Sequence, residues 1–486
     1  MSASTETGPP TVSRRTWQTL AVLLAGMFMA LLDTTIVNVA LPPIRASLDA
    51  SESTLSWIIS GYALAFGLAL IPAGRLGDRI GHKWIFFGGL ALFTLASLAC
   101  GFAQNDLQLI VSRVVQGLSC GIYVPAVTAF IQLLFVPRLR GKAFAVMGSV
   151  IGVSTALGPI IGGLIIQAFG DENGWRLVFW VNLPIGLATL VAAALLLPSK
   201  QAAQTLGGGI DWIGLLLISA GLVALLVPLI QGQDAGWPLW TYATIAAGIA
   251  LIAAFGAWET AFTRRGRNPL VPPRLFRHRA FTGGVILALV YFASFTSIFF
   301  TISILWQTGL GHSALETGLV SLPFAIGNII GASQSNRLAR RFGRNLLIAG
   351  TALVTLGLTA TWLILQTTGA ADLNHWQLLA PLFCAGLGNG LFIAPNTGFI
   401  VATVESRDAG AASGVIAAVQ RIGSATGIAV IGSVLFGTLV VKGDTPEALA
   451  TGFADSATTS ILVSAALSLA ALLLVFALPR RTVREG

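Results

Sequence analysis

Charged side chains are scarce in this sequence: Asp, Glu, Lys and Arg together make up only 10% of 486 residues, against 55% hydrophobic. Mean hydropathy is +0.83, which excludes a water-soluble globular chain of this length. Cysteine is nearly absent; Cys100, Cys120 and Cys384 lie inside apolar runs without paired spacing, excluding a disulfide framework and a thiolate metal site. The four His residues show no metal-ligand spacing, and no Gly-Lys-Ser/Thr loop exists to cradle nucleotide phosphates. No cofactor is therefore expected. No cleavable leader is expected either. The first apolar run, about Trp17 to Leu41, is too long for a signal core and lacks a small-residue cleavage motif.

What is present is a succession of long apolar runs. Bounded by charge, Pro or polar clusters, they predict fourteen membrane-spanning helices near 17–41, 55–73, 84–103, 107–134, 143–169, 175–197, 211–231, 238–260, 280–306, 315–334, 345–366, 376–400, 410–440 and 457–478. The formal charge of +9 could suggest nucleic acid, but the Lys and Arg residues occupy short clusters between the runs. Twenty-three of the 28 fall in alternate loops and at the two termini, three (Arg45, Arg176, Lys442) in the other loops, and two (Arg113, Arg421) within spans. Positive charge stays on the cytoplasmic side, so both termini are expected there.

An internal repeat divides the chain. Arg75-Leu76-Gly77-Asp78-Arg79-Ile80-Gly81 is echoed by Arg337-Leu338-Ala339-Arg340-Arg341-Phe342-Gly343, and Gly117-Leu118-Ser119-Cys120-Gly121 by Gly386-Leu387-Gly388-Asn389-Gly390. The reading is a six-helix bundle over 1–197, a linker over 198–279 with two additional helices and a basic loop, and a second six-helix bundle over 280–486. Two such halves suit alternating access, with a binding site between them near the membrane midplane.

The residues expected to carry chemistry are the charges inside spans. Asp33, midway along the first span, is the one carboxylate read as lying well inside hydrocarbon; burial and an approaching cation act oppositely on its proton affinity. Arg113 cannot lose its charge and is read as the counter-charge. Asn38, Gln116 and Arg421 are candidates for lining a substrate cavity, and no carboxylate on its own helix reaches Arg421. Gly74, Asp78, Arg79, Gly81 and Lys83 form a glycine-punctuated charged loop able to latch two bundles. Gly148/Gly152 and Gly158/Gly162 are small-residue pairs that permit close helix contact, with Gly163 beside them, and Pro159 is expected to bend the helix that carries them.

These motifs together resemble the major facilitator superfamily, specifically its fourteen-helix drug:proton antiporter family, over nearly the entire chain. The Asp33 segment is similar to the family's first-helix motif, Gly74 to Lys83 to its cytoplasmic loop motif, Arg113 to Gly117 to its fourth-helix motif, and Gly152 to Gly163 to its antiporter helix motif. Trp175 to Pro184 resembles the start of its sixth helix. Departures are Ser119 for a usual glycine, His82 for a usual arginine, and Arg340 in the second-half Asp position.

The resemblance implies an all-α integral membrane protein with the major facilitator fold: two six-helix bundles plus two extra central helices. It also implies proton coupling through Asp33 and Arg113, gating by the Asp78 loop, and conformational control by the Pro159 helix. The expected function is proton-coupled export of amphipathic drugs or other hydrophobic compounds across a bacterial cytoplasmic (inner) membrane. The partners would be protons, a small-molecule substrate and lipid, with the chain a monomer and not an enzyme. Export of one endogenous metabolite, lipid or siderophore is an alternative, as is a membrane sensor or scaffold without transport.

Overall fold

The computed structural model describes residues 13–50, 52–198, 211–232, 235–267, 269–402, 404–405, 408–443 and 445–478. Among them the regular structure is helical throughout. In a bilayer every backbone N–H and C=O must be satisfied within the chain, and an α-helix does this locally.

The helices of the first half are α1 (Arg14–Leu48), α2 (Glu52–Ile80), α3 (His82–Phe102), α4 (Asp106–Leu134), α5 (Pro137–Trp180) and α6 (Asn182–Leu196). A hairpin follows, α7 (Trp212–Gln231) and α8 (Leu239–Arg264). The second half holds α9 (Arg279–Ile304), α10 (Ala314–Phe342), α11 (Arg344–Thr367), α12 (Leu379–Val401), α13 (Ala409–Gly437) and α14 (Pro446–Val475).

Among the described residues twelve helical stretches are long and apolar enough to cross a membrane, where the sequence predicts fourteen. The two expected spans outside this set are α2 and α10. Both are 29 residues long, but α10 carries Asn328, Ser333, Gln334, Ser335 and Asn336, and only Trp57–Leu70 of α2 is continuously apolar. Of the α10 polar residues, Asn328 and Ser335 are buried, while Ser333 and Gln334 are exposed.

The two halves use the same pairings. In the first, α1 packs on α5, α2 on α4, and α3 on α4 and α6; in the second, α9 packs on α13, α10 on α12, and α11 on α12 and α14. The glycine echo explains part of this likeness. A side chain at Gly117 or Gly121 would collide with the α2 backbone at Tyr62 or Phe66, and one at Gly386 or Gly390 with the α10 backbone at Phe324 or Asn328. Each small-x-x-x-small pair thus brings two helices into backbone contact. The Lys83 ammonium donates to the Ala194 and Leu197 carbonyls at the end of α6 (3.0 and 2.9 Å), while Arg344 donates to the Phe476 and Leu478 carbonyls at the end of α14 (3.1 and 2.6 Å). A cation at a helix C-terminus satisfies orphan carbonyls and complements the dipole.

Between the bundles, α10 and α12 lie on α5, while α2 and α4 lie on α13. At the α5 seam the Tyr291 hydroxyl donates to Asn389 Oδ1 (2.7 Å), Asn389 Nδ2 to Asn328 Oδ1 (2.8 Å), and Asn328 Nδ2 to the Gly148 carbonyl (3.1 Å). Gly152 leaves the room for Asn328, whose amide would collide with any side chain there. The Gly148/Gly152 pair therefore receives an amide from the opposite bundle, while Gly158 and Gly162 admit Thr35 and Ile36 of α1. Along α5 the backbone leaves helical geometry at Gly170 (φ 76°), and Pro159 lies within the helix. The ring of Pro159 meets α10 at Gly318.

The α7–α8 hairpin lies against the other seam, with α7 touching both α2 and α13. Asp211 caps α7 by accepting from the Gly214 amide (2.9 Å) and also receives the Trp258 indole N–H of α8 (2.9 Å). Glu259 is 1% exposed and accepts the Val271 amide (3.0 Å), so Asp33 is not alone among buried carboxylates. Arg274 binds Asp408 at the start of α13 (2.7 Å), tying the loop after α8 to the second bundle.

Close contact at Gly386 gives a direct test. Gly386→Ala should destabilise the purified protein by about 1–3 kcal/mol through overpacking against Phe324. Gly398→Ala on the same helix, with open space around it, should change stability by less than about 0.5 kcal/mol in the same thermal-shift measurement.

Candidate substrate and proton site

Five helices of the first bundle converge on one buried cluster. Asp33 of α1 is 0% exposed and Arg113 of α4 is 1% exposed, and Arg113 Nη1 donates to Asp33 Oδ2 at 2.5 Å. Asp33 Oδ1 accepts from Gln116 Nε2 (3.0 Å) and from Asn182 Nδ2 of α6 (2.9 Å). The guanidinium makes two further bonds, Nη1 to Gln116 Oε1 (2.6 Å) and Nε to the Ile58 carbonyl of α2 (3.1 Å). It also lies over the Tyr62 ring, 4.1 Å from the centroid. Ser97 of α3 completes the cluster, its hydroxyl accepting from Gln116 Nε2 at 2.6 Å.

The arrangement follows from helix periodicity. Arg113 and Gln116 are three residues apart and so share a face of α4, and both reach the carboxylate that α1 presents midway along its length. A buried ion pair is tolerable only when its remaining donors and acceptors are bonded, and here three donors surround the carboxylate while two other acceptors and an aromatic face surround the guanidinium. Removing one partner would strand the other, typically at about 3–5 kcal/mol.

The sequence-predicted residues divide as follows. Asp33, Arg113 and Gln116 come together; Gln116, expected to line a cavity, is fully buried and holds the pair instead. Asn38, five residues beyond Asp33 on α1, is exposed, and Arg421 of α13 is half-buried. The guanidinium of Arg421 stacks on Phe66 of α2, 4.0 Å from the ring centroid, which supplies the partner that the sequence does not name.

In the loop motif, Gly74 abuts the Gly410 carbonyl at the start of α13, and Gly81 (φ 96°) makes the turn from α2 into α3. Lys83 caps α6 within its own bundle. The side chains of Asp78 and Arg79 lie outside the described residues. Gly163 is half-buried on α5 beside Gly162.

Sequence reasoning missed Asn182 and Ser97 as members of the cluster. A neutral amide and a hydroxyl in two separate spans carry no local signal. Only the position of Asn182 after Trp175-Arg176, in the segment resembling the sixth-helix motif, could have pointed to it.

Comparison with known proteins agrees with this fold. The chain matches the Major Facilitator Superfamily over residues 23–428. It is 37% identical over 438 residues to the "Probable actinorhodin transporter" of Streptomyces coelicolor, covering 90% of this chain and 75% of that one. It is 32% identical over 456 residues to the "Puromycin resistance protein pur8" of Streptomyces alboniger, covering 92% and 88%. Among solved structures, the proton:xylose symporter XylE superposes with a TM-score of 0.67 at 14% identity, covering 96% of each chain, a likeness of fold. A family match across most of the chain and relatives above 30% identity lead to one conclusion: this multi-pass membrane protein belongs to the Major Facilitator Superfamily, whose members are transporters and not enzymes.

Proposed function

We propose that the chain is a proton-coupled antiporter that exports amphipathic or hydrophobic compounds across the bacterial cytoplasmic membrane, crossing it fourteen times with both termini inside. The observation that carries this reading is the Asp33–Arg113 pair, a titratable acid sealed inside a bundle of a transporter. Relatives named for antibiotic transport and resistance support export as the direction.

In the mechanism, Asp33 takes up a proton when the bundles tilt and the cluster hydrates. A proton arriving at the carboxylate neutralises it and leaves Arg113 charged. Gln116 Oε1, the Ile58 carbonyl and the Tyr62 ring are already in place to hold the guanidinium during that interval. Loss of the proton on the opposite face of the membrane restores the pair. Asn38 and Arg421 contribute to the substrate cavity, the Gly74–Lys83 loop and Asp78 to gating, and the Gly152–Gly163 segment with Pro159 to the exchange between states. The transporter works as a monomer. Export of one specific endogenous compound is a second reading, favoured by the relative named for actinorhodin.

Two outcomes test the assignment. Asp33→Asn should abolish uphill, pH-driven efflux in proteoliposomes while the protein still folds; retained accumulation against a gradient contradicts the role. Arg113→Leu alone should lower thermal stability by about 3–5 kcal/mol by isolating the carboxylate, and combining it with Asp33→Leu should recover most of that loss without restoring coupled transport. A double variant as unstable as the single one would rule out charge pairing as the cause.

A further inference from the structure

The charge available to a substrate differs from what the sequence suggests. Asp33 and Arg113 are each other's partners and both are sealed, so the buried cluster offers a bound molecule no net charge. Arg421 is different. It is half-buried, and among the described residues no carboxylate pairs with it and no hydrogen-bond acceptor meets it. On its own helix the preceding carboxylate is Asp408 at the N-terminus, bound to Arg274. A guanidinium stays charged in any surroundings, so an incompletely solvated one within the protein interior favours an anion beside it.

One turn further along α13, Ser424 is hydrogen-bonded to Thr296 of α9 (2.9 Å). Arg421 rests on Phe66 of α2, so this face of α13 looks between the first bundle and α9. Next to Thr296 begins an aromatic row. Phe295 and Phe299 are one turn apart on α9 and both contact Phe324 of α10, with centroids 5.6 Å apart and nearly parallel, and 4.9 Å apart and edge-on.

Phe295 and Phe299 are half-buried. The outward face of α9 is marked by Ile286, 47% exposed and nine residues before Phe295. At about 100° per residue, nine residues place Phe295 on the opposite side of the helix from Ile286, and Phe299 within about 40° of Phe295. The open edges of these rings therefore face the interior. Flat rings stack on such a row, and a cation on the adjoining α13, one turn before the Ser424 that binds Thr296, fixes the charge of the molecule that fits.

We propose that Arg421 and the Phe295–Phe299–Phe324 rings form the recognition site for the transported compound, and that this compound is an acidic aromatic molecule, a carboxylate or phenolate on a flat ring system. The assignment rests on the export reading above and specifies its substrate class.

Equilibrium binding to the purified full-length protein in detergent micelles tests it without any proton gradient. Fluorescence anisotropy with two dyes of the same xanthene ring system, anionic fluorescein and cationic rhodamine 6G, each corrected against empty micelles, reads the charge preference directly. Fluorescein should bind at least about tenfold more tightly than rhodamine 6G. Arg421→Gln should remove that preference, Arg421→Lys should keep much of it, and Phe295→Ala with Phe299→Ala should weaken both dyes alike. Equal or tighter binding of rhodamine 6G, no binding of fluorescein, or a preference unchanged in Arg421→Gln overturns the proposal. The wild-type comparison decides the matter even where a variant does not fold. Because binding is read with no proton gradient, failure of proton coupling in proteoliposomes and failure of this site are separate results.

Discussion

The ion pair between Asp33 and Arg113 constrains everything around it. Two full charges in the interior of a membrane bundle are acceptable only together and only when hydrogen bonds stand in for the lost solvent. Meeting that condition draws in Gln116 from the same helix as Arg113, Ser97 from α3, Asn182 from α6 and the Ile58 carbonyl from α2. Five of the six helices of the first bundle are thereby fixed in register around one carboxylate. A shift of α4 or α6 against α1 changes the number of bonds that the carboxylate accepts.

The second bundle meets this centre along two seams of different chemistry. On the α2–α13 side the contact is aromatic and cationic: Arg113 lies on Tyr62, Tyr62 meets Phe66 edge-on at 6.0 Å, and Phe66 carries Arg421. On the α5–α10 side it is a neutral row of hydroxyl and amides, Tyr291 to Asn389 to Asn328 to the Gly148 carbonyl. Neither seam contains a buried ion pair spanning the bundles among the described residues. Separating the halves there breaks hydrogen bonds and stacking contacts worth about a kcal/mol or so each, a scale suited to a reversible transition.

Much of this was legible in the chain, because the bilayer imposes strong local rules. Long apolar runs gave the helices, and charge within a run singled out Asp33, Arg113 and Arg421. The glycine echo marked two pairs of helices in backbone contact. What stayed hidden depends on tertiary neighbours. Gln116 looks the same in sequence whether it faces a cavity or a carboxylate, and Asn182 acquires its role only because α6 packs near α1 and α3. Lys83 sits in a loop motif suggestive of a latch, and its bonds to the carbonyls that end α6 could be read only once α6 was placed beside it. The Gly148/Gly152 pair reads as a helix contact and serves as a socket for Asn328, since small residues admit a polar side chain as readily as a backbone. The helices α2 and α10 fall short of a simple apolar criterion because polar residues interrupt them, among them Tyr62 and Asn328, which bond to neighbouring helices.

Whether Asp33 exchanges protons in the intact bundle is measured most directly by infrared difference spectroscopy of the protein in liposomes, taken between the acidic and alkaline sides of neutrality. A protonated-carboxyl band that grows on acidification and is missing from Asp33→Asn is the expected result. Identical difference spectra from the two proteins would contradict it, and would leave the pair as a static brace.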